Sequence, residues 1–144
     1  MIRRATPDDA EAIARVHVAT WQFAYADIVP AELLGSRSLD VRVSQWKRLL
    51  DEGGAVWVAE TEGRVVGFVC VEKDELLAMY VDPIAQGAGI GSALLAEAEQ
   101  AGARRLTVLT DNGHARTFYE ARSWTDAGED EPYVGLPTRR YVKP

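Results

Sequence analysis

A chain of 144 residues that is 47% hydrophobic carries enough apolar material for one compact core and too much for a disordered chain. Its formal net charge of −6 argues against a general nucleic-acid binder, which needs a basic patch, and is compatible with a cationic acceptor such as an amine. The single cysteine, Cys70, excludes a disulfide framework within the chain. With no CxxC or HExxH pattern, and with His17 and His114 far apart, no metal site is expected.

In chain order, residues 1–5 lack an apolar signal core, and Ile2 and Arg3 suit a short strand. Thr6-Pro7-Asp8-Asp9 reads as a helix start, with Thr6 as cap, Pro7 at the first helical position and two acids favouring the dipole. Ala10, Ile13, Val16 and Thr20 continue it at helical spacing, and His17 falls at its surface or partly buried. Trp21, Phe23 and Tyr25 form an aromatic cluster before Pro30. Leu39, Val43, Trp46 and Leu50 predict a second helix over 38–51. Strands follow at 55–59 and 65–71, joined through Glu60 to Arg64 as a hairpin, and a third runs from Leu76 to Val81. These connections are too short for crossovers, so the meander is antiparallel.

A proline ends that third strand, and a glycine-studded turn leads into a helix over 89–101 rich in alanine and leucine. The helix carries the chain to a parallel strand over 105–109. Asp111-Asn112-Gly113 then turns into a short helix with Ala115, Phe118 and Tyr119, and two closing strands are expected at 133–134 and 139–142. The pattern ααβββαβαββ implies a mixed sheet with helices on both faces. No apolar run approaches a membrane span, so a cytoplasmic protein without a membrane partner is the expectation.

The turn carries the chemistry. Main-chain N–H groups around Gln86, Gly87, Ala88, Gly89, Ile90, Gly91 and Ser92 precede a helix, so they and the positive end of its dipole converge on one point suited to a pyrophosphate. The glycines lack Cβ atoms and admit an anion close to the main chain. A Walker A string is absent, and a dinucleotide fingerprint fails. Its third glycine would fall on Ser92 counted from Gly87, or on Leu94 counted from Gly89.

Gln86-Gly87-Ala88-Gly89-Ile90-Gly91 instead resembles the acyl-CoA loop, Gln/Arg-x-x-Gly-x-Gly/Ala, of the GNAT superfamily of N-acyltransferases. Met79-Tyr80-Val81-Asp82-Pro83 is similar to that family's central strand and its exit. Asn112 to Trp124 resembles its Asn-x-x-Ala-x-x-Phe-Tyr-x-x-x-Gly-Trp/Phe segment, with Ser123 where glycine is usual. That departure bears on the local turn and not on the cofactor site.

The resemblance implies an α+β fold over 1–144 as one domain, a mostly antiparallel mixed sheet flanked by helices. It implies an enzyme that moves an acetyl group from acetyl-CoA to an amine by direct attack in a ternary complex, without a metal. The backbone of Met79, Tyr80 and Val81 would pair with the pantetheine arm, the Tyr80 amide would donate to the thioester oxygen, and Asn112 would contact the arm. Tyr119 would be the acid near the sulfur. Glu75 is the candidate base, on the strand parity of Leu77, Met79 and Val81. Some family members carry a glutamate on the next strand, where Thr107 stands here, and water-mediated deprotonation remains an alternative. Trp21, Tyr25 and the loop to Pro30 would wall the acceptor site, where aromatics can make cation–π contacts to an amine.

Blander readings stand beside these. Phe118 and Tyr119 could simply pack a helix on the sheet, residues 72–75 could be a solvated turn, and Trp21 and Tyr25 could be core filling. The acceptor could be a small-molecule amine or a protein N-terminus, and dimerisation is common in the superfamily. A non-catalytic CoA sensor and a nucleotide-binding regulatory module are the alternative functions.

Overall fold

The computed structural model describes residues 1–25, 39–133 and 135–144, with the backbone alone for residues 22–25. The side chain of Tyr25 and the loop through Pro30, expected to wall the acceptor site, lie outside the described residues. The described elements are β1 (Ile2–Arg4), a 3-10 turn (Pro7–Asp9), α1 (Ala10–Tyr25), α2 (Leu39–Asp51), β2 (Ala55–Thr61), β3 (Arg64–Glu72) and β4 (Glu75–Val81). A second 3-10 turn (Pro83–Ala85) precedes α3 (Ile90–Gln100), β5 (Arg105–Leu109), α4 (Gly113–Glu120), β6 (Thr125–Tyr133) and β7 (Leu136–Val142).

Among the described residues the strands form one seven-stranded sheet in the order β1-β2-β3-β4-β5-β7-β6. Every neighbouring pair is antiparallel except β4 and β5, which are parallel and register only at Glu75 opposite Arg105. Beyond that point, among the described residues, β4 pairs with no strand on the β5 side.

The two faces of the sheet bury separate cores. One is built from Leu94, Leu95 and Ala98 of α3 against Val69, Leu106, Val108, Tyr119, Trp124 and Tyr141. The other places Ile13 and Ala14 of α1 and Trp46 and Leu50 of α2 over Val56, Val58, Phe68 and Cys70. Burial pushes the Cys70 thiol up to about 11, with Glu72 adding to the shift, so it is an inert core group. The entry to α1 is tied to β1: Asp9 accepts from the Thr6 N–H at 2.8 Å and, through both oxygens, from Arg3. Arg3 holds the Asp9 carboxyl below the usual carboxylate range.

Three local features depart from the expectations. First, β4 carries a bulge: Cys70 opposes Ala78 while Val71 opposes Leu76, so Leu77 is an extra residue. Alternation therefore breaks. Leu76 packs with Met79 and Val81 in the first core, whereas Ala78 and Tyr80 pack in the second. The parity argument that placed Glu75 on the face of Met79 and Val81 is overturned by this insertion.

Second, β6 begins at Thr125, eight residues before the expected closing strand. Its polar sequence, with Asp126, Glu129, Asp130 and Glu131, hides it, because an edge strand gains its hydrogen bonds from β7 without needing apolar alternation.

Third, Ser123 keeps the turn that glycine would make. It has φ 71°, its N–H donates to the Glu120 carbonyl at 3.2 Å, and the Trp124 N–H donates to the Tyr119 carbonyl at 3.1 Å. This is a Schellman ending with serine in the left-handed position.

Candidate active site

The separation of β4 from β5 opens a groove of about 1120 Å³, large enough for a cofactor-sized ligand. One wall is the strand end and turn of residues 79–92, and α4 closes it with Asn112, Phe118 and Tyr119. Opposite lie His17, Thr20 and Trp21 of α1, with Tyr133 of β6.

The turn is braced from within. Asp82 accepts from the Ile84 N–H at 3.1 Å through its side chain, and its carbonyl accepts from the Ala85 N–H at 2.8 Å. Gln86 turns back, donating Nε2–H to the Val81 carbonyl at 3.0 Å, where Thr20 also donates at 3.4 Å. Gln86 thus anchors the turn to the strand end through its side chain.

Gly87 and Gly89 have φ of 90° and 79°, and a Cβ on either would meet nothing within 4 Å. Gly89 is the N-cap of α3. The first helical bond at this end runs from Ala93 N–H to the Gly89 carbonyl. Among the described residues the N–H groups of residues 87–92 have no main-chain partner. They form a cluster of donors at the positive end of a helix, and the space in front of Gly87 and Gly89 is open. A phosphate group fits this donor set. At Gly91 a Cβ would meet the Phe118 ring at 3.4 Å, an ordinary van der Waals contact.

Asn112 caps α4, its side chain accepting from the Ala115 N–H at 3.1 Å while it lines the groove. Tyr119 is buried at 7% exposure with its ring among Phe118, Trp124 and Tyr141. It also lines the groove, so packing and access to the site coexist at this residue.

The opposite side of the groove, where an acceptor is expected, gathers side chains from distant segments. Trp21 meets Tyr133 edge-on at 6.5 Å. His17, expected at a helix surface or partly buried, is buried: it stacks on Tyr80 at 5.1 Å and accepts from Trp46 Nε1–H at its Nδ1 at 3.1 Å. Glu75 pairs with Arg105 at 3.2 Å where β4 and β5 are still joined, and it does not line the groove. Thr107 does line it, donating its hydroxyl to Asp130 at 2.6 Å. Asp130 also meets Arg140 at 3.0 Å. Thr107 foremost, then the Glu131 N–H and Arg140, hold the Asp130 carboxyl below its ordinary range, so it stays an anion. Among the described lining residues there is no aspartate or glutamate.

A family model described as an acetyltransferase (GNAT) domain matches residues 52–124, just over half of the chain. The uncharacterized N-acetyltransferase YuaI of Bacillus subtilis is 32% identical over 90% of this chain and 82% of its own length. The chain belongs to the GNAT family of acetyltransferases. A probable N-acetyltransferase of Mycobacterium tuberculosis is 29% identical, covering 99% of this chain and 95% of that protein. Among solved structures, a GCN5-related N-acetyltransferase from Rhodopseudomonas palustris superposes with a TM-score of 0.79 at 26% identity, over 99% of this chain and 94% of its own. The PaiA N-acetyltransferase of Thermoplasma acidophilum, solved in complex with coenzyme A, shares the fold with a TM-score of 0.75 at 21% identity, over 99% and 98% of the two chains.

In this acetyltransferase the matched segment spans β2 through the Schellman turn. It holds the whole glycine turn of residues 86–92, Asn112 and Tyr119, and leaves α1, α2, β6 and β7 outside. Among the described residues no helix is long and apolar enough to cross a membrane.

Proposed function

We propose that this chain, as a single domain, binds acetyl-CoA along the groove and transfers the acetyl group to a primary amine by direct attack in a ternary complex. The observation that carries the proposal is the row of N–H groups at residues 87–92 that have no main-chain partner among the described residues, with open space in front of Gly87 and Gly89. It is supported by the Thermoplasma acidophilum relative of the same fold, whose complex contains coenzyme A.

The cofactor supplies an activated thioester; this chain supplies donors, shape and proton management. The end of β4 at Met79, Tyr80 and Val81 lines the groove and lies alongside an extended pantetheine arm. An amide there donates where negative charge develops on the carbonyl oxygen. The Asp82 N–H bonded to the Val66 carbonyl sets the Tyr80 N–H, two residues earlier, on the β3 side, so the donor is that of Met79 or Val81 rather than the expected Tyr80. Tyr119 places a hydroxyl by the sulfur. A phenol near pKa 10 is a weaker acid than a thiol near 8.5, so Tyr119 acts more by hydrogen-bonding the departing thiolate than by full proton transfer.

The acceptor must react as a neutral amine. For an alkylammonium of pKa ~10.4 at pH 7 this costs about 4.6 kcal/mol. Glu75 is engaged with Arg105 and stands away from the groove lining, so the proton leaves through water rather than to that carboxylate. Trp21 and Tyr133 offer aromatic surface to a cation before it deprotonates.

The test is calorimetry with coenzyme A, followed by release of free thiol from acetyl-CoA across a panel of primary amines. Binding in the micromolar range together with amine-dependent thiol release is expected. A folded chain that gives no heat with coenzyme A contradicts the proposal.

A further inference from the structure

Most cations facing the sheet and its edges are matched: Arg3, Arg105, Arg116, Arg139, Arg140 and Lys143 each meet a carboxylate. Arg122, in the turn after α4, enters no ion pair among the described residues. It lines the groove all the same.

Its position is tightly specified. Nε and Nη2 both donate to the Ser92 hydroxyl oxygen, at 3.0 and 2.7 Å, and Nη1 donates to the Phe118 carbonyl at 3.0 Å. The guanidinium carbon lies 3.8 Å from the centroid of the Phe118 ring. That same ring packs against Gly91. The Ser92 hydroxyl, the Phe118 carbonyl and the Phe118 ring therefore hold a full positive charge at the flank of the α3 N-terminus.

The donor inventory points outward. A guanidinium has five N–H groups, and these contacts use three. The Ser92 hydroxyl accepts from Arg122, which leaves its own hydrogen to donate. An oriented cation with no carboxylate partner among the described residues, beside main-chain donors that likewise have no main-chain partner there, in a chain of net charge −6, is a local attractor for an anion. Position 122 is also unspecified in the Asn-x-x-Ala-x-x-Phe-Tyr-x-x-x-Gly pattern, so the arginine belongs to this chain rather than to the motif.

We propose that Arg122 and Ser92 form a side-chain clamp on a phosphate of coenzyme A, beside the main-chain cradle of residues 87–92. The inference rests on the coenzyme A reading of the groove. The phosphate is that of the diphosphate or the 3′-phosphate, which share one chemistry and are separable by ligand.

The experiment is calorimetry of the native chain, Arg122→Gln and Arg122→Lys with coenzyme A and with 3′-dephospho-coenzyme A, at low and high salt, after thermal unfolding confirms that each variant is folded. Arg122→Gln is expected to weaken coenzyme A about tenfold, with partial recovery in Arg122→Lys. It should also flatten the fall of affinity with salt, since one exposed charge contact is gone. An equal loss for both ligands assigns the contact to the diphosphate; a loss confined to coenzyme A assigns it to the 3′-phosphate. A folded Arg122→Gln with native affinity for both ligands overturns the clamp. So does weakened binding with an unchanged salt slope, the mark of a strut between α3 and α4. A native chain that binds no coenzyme A instead brings down the underlying reading.

Discussion

The two sides of the groove are built by different rules. The side proposed for the cofactor, residues 79–92 with the start of α3, is contiguous in sequence and presents mainly main chain: a strand end, two glycines at positive φ and a helix N-terminus. The side proposed for the acceptor is assembled from side chains far apart in sequence, with Trp21 against Tyr133 and His17 against Trp46 and Tyr80. Main-chain recognition depends on local conformation, so it tolerates almost any side chain that permits that conformation. Side-chain recognition depends on packing across the sheet, where each residue must be positioned by others.

That contrast can be broken most directly at Gly89. Gly89→Glu forces a side chain into the left-handed region and places a negative charge among the phosphate donors. Coenzyme A affinity should drop by more than about 100-fold, or ~2.7 kcal/mol, in calorimetry. Normal affinity would show that the diphosphate lies elsewhere.

Tyr119→Phe sits between the two sides. It keeps the ring packing with Trp124 and Tyr141 and removes only the hydroxyl. A fall in kcat of about 100-fold with coenzyme A affinity within about twofold is expected. An unchanged kcat removes Tyr119 from the chemistry and leaves it as packing.

Trp21→Ala sharpens the distinction. It should raise KM for an aromatic or polyamine acceptor about tenfold while coenzyme A binding stays native. A matching loss of coenzyme A affinity would mean that the two sides are one site energetically.

The smallest effect concerns the turn that carries Arg122. Ser123→Gly relieves a left-handed serine at φ 71° and should stabilise the fold by about 1 kcal/mol in urea unfolding. A destabilised variant would mean that the serine side chain contributes more than its backbone costs.

The helices and strands expected from 39 to 120 lie where periodicity put them, because each has a strong local signal. Leu39, Val43, Trp46 and Leu50 recur at helical spacing, apolar runs mark β2 and β3, and a proline and glycines separate β4 from α3. The acidic start of β6 was not legible, because its stability comes from pairing with β7 rather than from its own composition. The same holds for His17, buried by Trp46, Phe68 and Tyr80, which no local pattern brings together.

The amino-acid order alone determined the glycine turn before α3, since glycine spacing and a helix start are properties of a few consecutive residues. It likewise carried the resemblance to an acyl-CoA enzyme. Only the tertiary structure decided the rest. The bulge at Leu77 turns Glu75 away from the face of Met79 and Val81, and Arg105 from the neighbouring strand engages its carboxylate. Arg122 comes to rest on Ser92, thirty residues away in sequence. One inserted residue reverses every side chain before it, and a long flexible side chain takes its partner from whatever the fold sets beside it, so neither outcome is written in any local stretch of the chain.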